Sequence, residues 1–173
     1  MKKVFLAACL LAVLTGCATQ QNLQPLPQVG TVNLDSFLGE WHVLASVPNV
    51  IARKPFNATI TFTRADRGID IQYAFNSGSP EGDWKTVNSR AMVDNPGINT
   101  DWQVTYPWPF QRDLRIVYLE PDYSVAVMAN PNRKDIWILA RQPAISAPLY
   151  SDIVLFLQQL GYDVGKFRRI PQS

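Results

Sequence analysis

From Gly39 to Arg141 the chain is one short apolar–polar run after another: GEWHVLASV, NATITFT, GIDIQYAF, WKTVNSRAMV, DWQVTY, LRIVYLE, YSVAVMAN and DIWILARQ. Ile69, Ile71, Tyr73 and Phe75 fall on one face of their run, with Asp70 and Gln72 on the other. Trp102, Val104 and Tyr106 likewise oppose Gln103 and Thr105. A period of two residues is that of a strand with one dry and one wet face. The links are short and rich in turn residues: Asp66-Arg67-Gly68, Asn76 to Pro80, Asn95-Pro96-Gly97, Glu120-Pro121-Asp122, Asn130-Pro131-Asn132. Such links suit an antiparallel meander and are too short for helices crossing between parallel strands. Eight strands can close into a barrel, which removes exposed edges, or divide into a two-sheet sandwich. Alternation does not choose between the two.

One helix follows the strands. Ser146 is a good N-cap, Pro148 falls in the first turn, and Gly161 comes just after the last apolar residue. Leu149, Ile153, Phe156, Leu157 and Leu160 make one stripe, expected to dock on the outside of the sheet. The stretch from Tyr162 to Ile170 is expected to add a short strand.

The N-terminus is of another kind. Lys2 and Lys3 precede an apolar run from Val4 to Leu14 that has the shape of a secretory signal and is too short to span a bilayer. The run ends in Leu14-Thr15-Gly16-Cys17, which resembles the lipobox of bacterial lipoproteins. That resemblance implies residues 1–16 as a signal peptide, cleavage before Cys17, a diacylglyceryl thioether on its sulfur and acylation of the new amine. Ala18 in place of aspartate implies sorting to the outer membrane. Residues 17–34 then read as the lipidated start and a polar tether, with Pro25, Pro27 and Gly30, and 35–173 as the folded domain.

Removing the signal alters the charge. The chain has 16 Lys+Arg against 14 Asp+Glu, and Lys2 and Lys3 leave with the signal, giving 14 against 14. A net charge near zero gives no argument for nucleic acid as a partner. Cys9 is lost too, so Cys17 is the one cysteine left and no internal disulfide is available. His42, the only histidine, follows Trp41 and points to the opposite face of its strand. It reads as a surface residue, and no metal site or resident cofactor is expected. The serine-nucleophile elbow and the phosphate-cradling glycine patterns are missing, so the residues point to a binding protein and not an enzyme.

Three blocks carry a family resemblance. Gly39-Glu40-Trp41 opens the first strand after Leu34-Asp35-Ser36-Phe37-Leu38 and looks like the Gly-x-Trp block of lipocalins. Leu119-Glu120-Pro121-Asp122-Tyr123 partly matches the second block, without its usual threonine-aspartate-tyrosine wording. Ile136 to Arg141 closely matches the third, and the trailing helix agrees. The chain thus resembles the bacterial outer-membrane lipocalins and, more distantly, apolipoprotein D, over about residues 31–170.

The resemblance implies an all-β fold: an eight-stranded antiparallel up-and-down barrel with one C-terminal α-helix packed outside. It implies that Arg141 packs across Trp41 at the closed end, where Gly39 lets the backbone approach, and it gives Phe62 and Trp137 as ligand contacts. Dry-face alternation adds Ile60, Tyr73, Phe75, Trp102, Tyr106 and Leu139 as candidate cavity residues, beside Ile71 and Val104. The strand faces at 114–119 and 125–129 stay ambiguous. Tyr73, Tyr106 and Tyr118 are candidate polar handles, and Arg112 and Arg115 candidate partners of a phosphate head group. The function implied is binding of lysophospholipids or fatty acids, for lipid storage or transport in upkeep of the envelope, by a lipid-anchored protein whose domain faces the periplasm. Homodimer formation is also implied by such relatives. Two alternatives stand beside it: an enzyme built on the same barrel, or an envelope interaction protein with a filled barrel.

Overall fold

The structure is a computed structural model that describes residues 25–49, 52–106 and 111–173. Cys17 and the signal-like segment lie outside the described residues, as do residues 50–51 and 107–110. A short helix, α1 (Leu34–Phe37), leads into β1 (Gly39–Ser46). Seven further strands follow: β2 (Pro55–Arg64), β3 (Ile69–Ser77), β4 (Trp84–Val93), β5 (Asp101–Thr105), β6 (Gln111–Leu119), β7 (Val125–Ala129) and β8 (Ile136–Ala140). Each pairs antiparallel with its neighbour in sequence, and β1 pairs with both β2 and β8. The meander therefore closes on itself, which excludes the sandwich.

The helix after the strands is α2 (Ala147–Gln159). The Ser146 side chain caps its start by accepting from the Leu149 N–H. At its end Tyr162 N–H donates to the Leu157 carbonyl and Gly161 N–H to that of Gln158, with Gly161 at φ +87°. That is a Schellman stop, which needs a residue at ease in the left-handed region. Ile153 and Leu157 are buried against the barrel, and Leu149, Phe156 and Leu160 pack beside them. The helix covers β7 and β8, so Val125, Val127, Ala129, Ile138 and Ala140 form a second core outside the barrel wall. This explains why those strands are apolar on both faces.

Two bulges turn side chains over. β1 slips register between Val43 and Ala45, so both Leu44 and Ala45 join the outer core. β6 slips between Ile116 and Tyr118, so Leu114 and Ile116 point inward while Val117 and Tyr118 meet the helix side. A bulged strand places two residues where one would sit, which inverts the alternation beyond it.

The segments flanking the barrel strands on either side, residues 26–33 and 168–172, are built into the wall. Leu26 and Val32 are buried, Arg115 donates to the Leu26 carbonyl, and Val32 N–H donates to the Ile98 carbonyl. Residues 26–33, read from sequence as tether, thus lie along the barrel. They escaped notice because two apolar side chains in a polar stretch make no period. At the other end, β9 (Arg168–Arg169) pairs with β1 at Ala45 and Ser46. β1 and β2 pair directly only over Gly39–His42 and Thr59–Phe62. Past that point the last residues stand between them. Ile170 N–H donates to the Leu44 carbonyl, Asn57 N–H to the Pro171 carbonyl, and Gln172 Nε2 to the Val43 and Ala58 carbonyls.

Candidate functional site

The closed end of the barrel is a packed aromatic floor. Phe37, Trp41, Phe62 and Trp102 are fully buried, with successive ring centroids 5.2 to 5.5 Å apart. Each indole N–H has a partner: Trp41 Nε1 donates to the Phe37 carbonyl at 2.8 Å and Trp102 Nε1 to the Asn99 carbonyl at 2.8 Å. Buried donors need such partners. Helix α1 lays Phe37 across the floor; the Asn33 side chain caps it through the Asp35 and Ser36 N–H groups. The Tyr123 hydroxyl accepts from the Asn33 N–H, tying the β6–β7 turn to the same cap.

Arg141, just past β8, seals this end from outside. Its guanidinium carbon lies 3.9 Å from a Trp41 ring centroid. Nη1 donates to the Glu40 carbonyl at 2.6 Å, and Nη2 to those of Ser36, Phe37 and Leu38 at 2.8 to 3.0 Å. The carbonyls at a helix C-terminus lack intrahelical partners. A flat fork of five donors satisfies them as no other side chain does, and its charge suits the negative helix end. The permanent cation at the end of an apolar strand is therefore a cap for α1 laid over an indole. Gly39 stands at φ +98°, where L residues are strained, and a Cβ there would lie 3.4 Å from Arg141 Nη1.

Above the floor lies a cavity of about 150 Å³. β2 and β3 contribute Ile60, Ile71 and Tyr73; β4 contributes Val87 and Ser89. Leu114 and Arg112 come from β6, Ile136, Trp137 and Asp135 from the start of β8, and Ser46, Val47 and Asn49 from the end of β1; Tyr106 completes the wall. Most of this surface is apolar, and burial pushes the Tyr73 and Tyr106 phenols above the ordinary tyrosine range. Both phenols are neutral hydrogen-bond donors near pH 7, as any tyrosine is there. Arg112 lowers Tyr106 while Asp135 raises it, so this phenol lies in the field of both charges.

The residues expected to meet ligand divide by height. Ile60, Tyr73, Tyr106 and Trp137 line the cavity. Phe62 and Trp102 form the floor, Leu139 is wholly buried opposite Val43 and Ala126, and Phe75 stacks on Tyr73 at 5.1 Å without joining the cavity wall. Alternation tells which face is inward but not how far along the barrel axis a side chain sits. Two candidate handles also lie elsewhere. Tyr118 packs on Phe156 outside the barrel and donates to Glu120; burial first, then that bond, push its phenol up to about 12. Arg115 pairs with Asp101 and holds the Leu26 carbonyl. Sequence reasoning missed Val87 and Ser89, because β4 alternates weakly. Their cross-strand partners, Tyr73 and Ile71, were the available signal.

Among the described residues no group of three His, Cys, Asp or Glu side chains gathers as a metal site, and no helix is long and apolar enough to cross a membrane.

A closed up-and-down barrel, floored at one end and hollow toward the other, defines a cup-shaped protein of the calyx type. A family model described as a lipocalin-like domain matches residues 32–172, and the chain belongs to that family. It is 25% identical over 178 residues to outer membrane lipoprotein Blc of Vibrio cholerae, covering 100% of both chains. The protein of the same name from Escherichia coli is 24% identical over 169 residues, covering 96% of this chain and 94% of that one. Temperature-induced lipocalin-1 of Arabidopsis thaliana is 24% identical over 162 residues, covering 82% and 80%. Among solved structures, insecticyanin from the tobacco hornworm Manduca sexta superposes with a TM-score of 0.65 at 14% identity, over 87% of this chain and 86% of that one. Lobster apocrustacyanin A1 superposes with a TM-score of 0.63 at 16% identity, over 88% and 92%. These two likenesses show the fold.

Proposed function

We propose that this chain is a lipid-anchored lipocalin that binds single-chain lipids, lysophospholipids or fatty acids, and stores or carries them in upkeep of the outer membrane. The observation that supports it is the apolar hollow above a sealed floor. Its roughly 150 Å³ falls below the ~300–1,000 Å³ of sites that enclose a drug-sized ligand. A hollow of that order takes a group about the size of benzene. The tip of one acyl chain fits that description, with the remainder of the lipid rising through the mouth. Binding and release suffice for this role, and no covalent step is required.

Titration below the micelle concentration with lysophosphatidylcholine or dodecanoate, followed by tryptophan fluorescence, is expected to saturate near one ligand per chain. Trp137→Phe removes most of the signal but not the binding measured by calorimetry. No saturable binding of any single-chain lipid overturns the proposal.

The anchor rests on Leu14-Thr15-Gly16-Cys17 and on the name borne by the bacterial relatives. Cells grown with labelled palmitate are expected to label this protein and not Cys17→Ser, which moves to the soluble fraction. A labelled, membrane-bound Cys17→Ser counts against the anchor.

A further inference from the structure

Among the described residues that line the cavity, Arg112 and Asp135 are the only charged ones. They are 23 positions apart and meet because β7 is short. It ends at Ala129, and beyond its end the start of β6 and the approach to β8 face each other. Asn130 N–H donates to the Asp135 carbonyl and closes that turn. Arg112 Nη1 then reaches the Asp135 carboxylate across the gap. The same two residues border a second, polar groove on the outside, with Gln103, Gln111, Asn130 and Lys134. The ion pair therefore marks the boundary between the dry interior and the wet rim, where the head of an amphiphile must lie when its tail points at the floor.

We propose that Arg112 and Asp135 are a two-charge receptor for a zwitterionic head group, an anionic phosphate on Arg112 and an ammonium on Asp135. This rests on the reading of the cavity as a tail site. The pair opens on binding and each member regains a counter-charge from the ligand. One ion pair becomes two, so neither charge is left unmatched. A fatty-acid carboxylate has no such exchange. It must share the guanidinium with Asp135, setting two like charges around one cation, or displace Asp135 and strand it. In the outer groove Lys134 and Asp113 add one charge of each sign, so the rim does not favour anions as a whole.

Three probes with one tail length test this: dodecylphosphocholine, dodecanoate and dodecyl maltoside, each titrated calorimetrically below its micelle concentration. The native chain is expected to bind the phosphocholine roughly tenfold more tightly than dodecanoate, the worth of about one charge-assisted hydrogen bond. Asp135→Asn is expected to abolish or reverse that preference, each affinity being read against that of the maltoside in the same chain. Arg112→Asp combined with Asp135→Arg keeps a pair and is expected to keep the preference for the zwitterion, which covers the case in which Asp135→Asn does not fold. The proposal is overturned by a native preference for dodecanoate, by an Asp135→Asn ranking identical to the native one, or by loss of the preference in a folded charge-swapped chain. Failure of all three probes to bind the native chain overturns instead the reading of the cavity as a tail site.

Discussion

Arg141→Ala is expected to lower the melting temperature by roughly 6–12 °C while lipid affinity changes less than about threefold. The first figure takes ~3 kcal/mol for a charged donor removed from partly buried carbonyls, and about 2–4 °C per kcal/mol in a domain of this size. Four carbonyls lose the guanidinium at once, three of them on or beside the end of α1, and of these only that of Phe37 keeps a second side-chain donor, the Trp41 indole. The Trp41 face loses its cation as well. Affinity is spared because Arg141 does not reach the cavity; the layer of Phe37, Phe62 and Trp102 lies between. Arg141→Lys is expected to recover less than half the loss, since a point charge cannot replace a flat fork. Thermal unfolding followed by near-ultraviolet circular dichroism measures both. An unchanged midpoint for Arg141→Ala would mean that the floor holds without its cap.

Val87→Trp is expected to weaken binding of any dodecyl-chain probe at least tenfold. Val87 lies opposite Tyr73 on the cavity wall. An indole there takes the space that a chain tip would use, and loss of buried apolar contact of that extent costs more than about 1.4 kcal/mol. Overfilling a packed core costs about 1–3 kcal/mol of stability. Here the space already exists, so the midpoint is expected to fall by less than about 5 °C. Thr86→Trp, one residue away on the exposed outer face, is the control and is expected to bind as the native chain does. Native affinity in Val87→Trp would show that the tail lies elsewhere.

The antiparallel strands and the helix were legible in the sequence for a physical reason, whereas closure into a barrel was implied only by the family resemblance. One face of each strand is dry, the turns are short, and α2 begins and ends on residues that stop helices. The family resemblance implied that Arg141 lies over Trp41; its four acceptors were not legible, because α1 is a four-residue helix too short to leave a periodic trace. Phe62 and Trp102 look like Ile60 and Tyr106 in the text, yet the first two are floor and the others wall. Height along the axis depends on strand tilt and register, which no single strand encodes. Tyr118 shares the parity of Leu114 and Ile116 and still points outward, because a bulge intervenes. Arg112 meets Asp135 only because β7 is short, a property of neither residue's neighbourhood.

The placement of Ile170, Pro171, Gln172 and Ser173 bears on how the molecule is made. Synthesis runs from the N-terminus, so β1 and β2 exist long before the tail that fills the gap between their upper halves. Until that tail arrives, His42 marks the limit of their pairing, and Val43, Leu44, Asn57 and Ala58 keep backbone groups without these partners. The cup is thus a vessel with an unsewn seam until residues 170–173 are in place, and those residues are the thread. Deleting residues 170–173 should act as a leak in the wall near the mouth, not as a change in a loose segment.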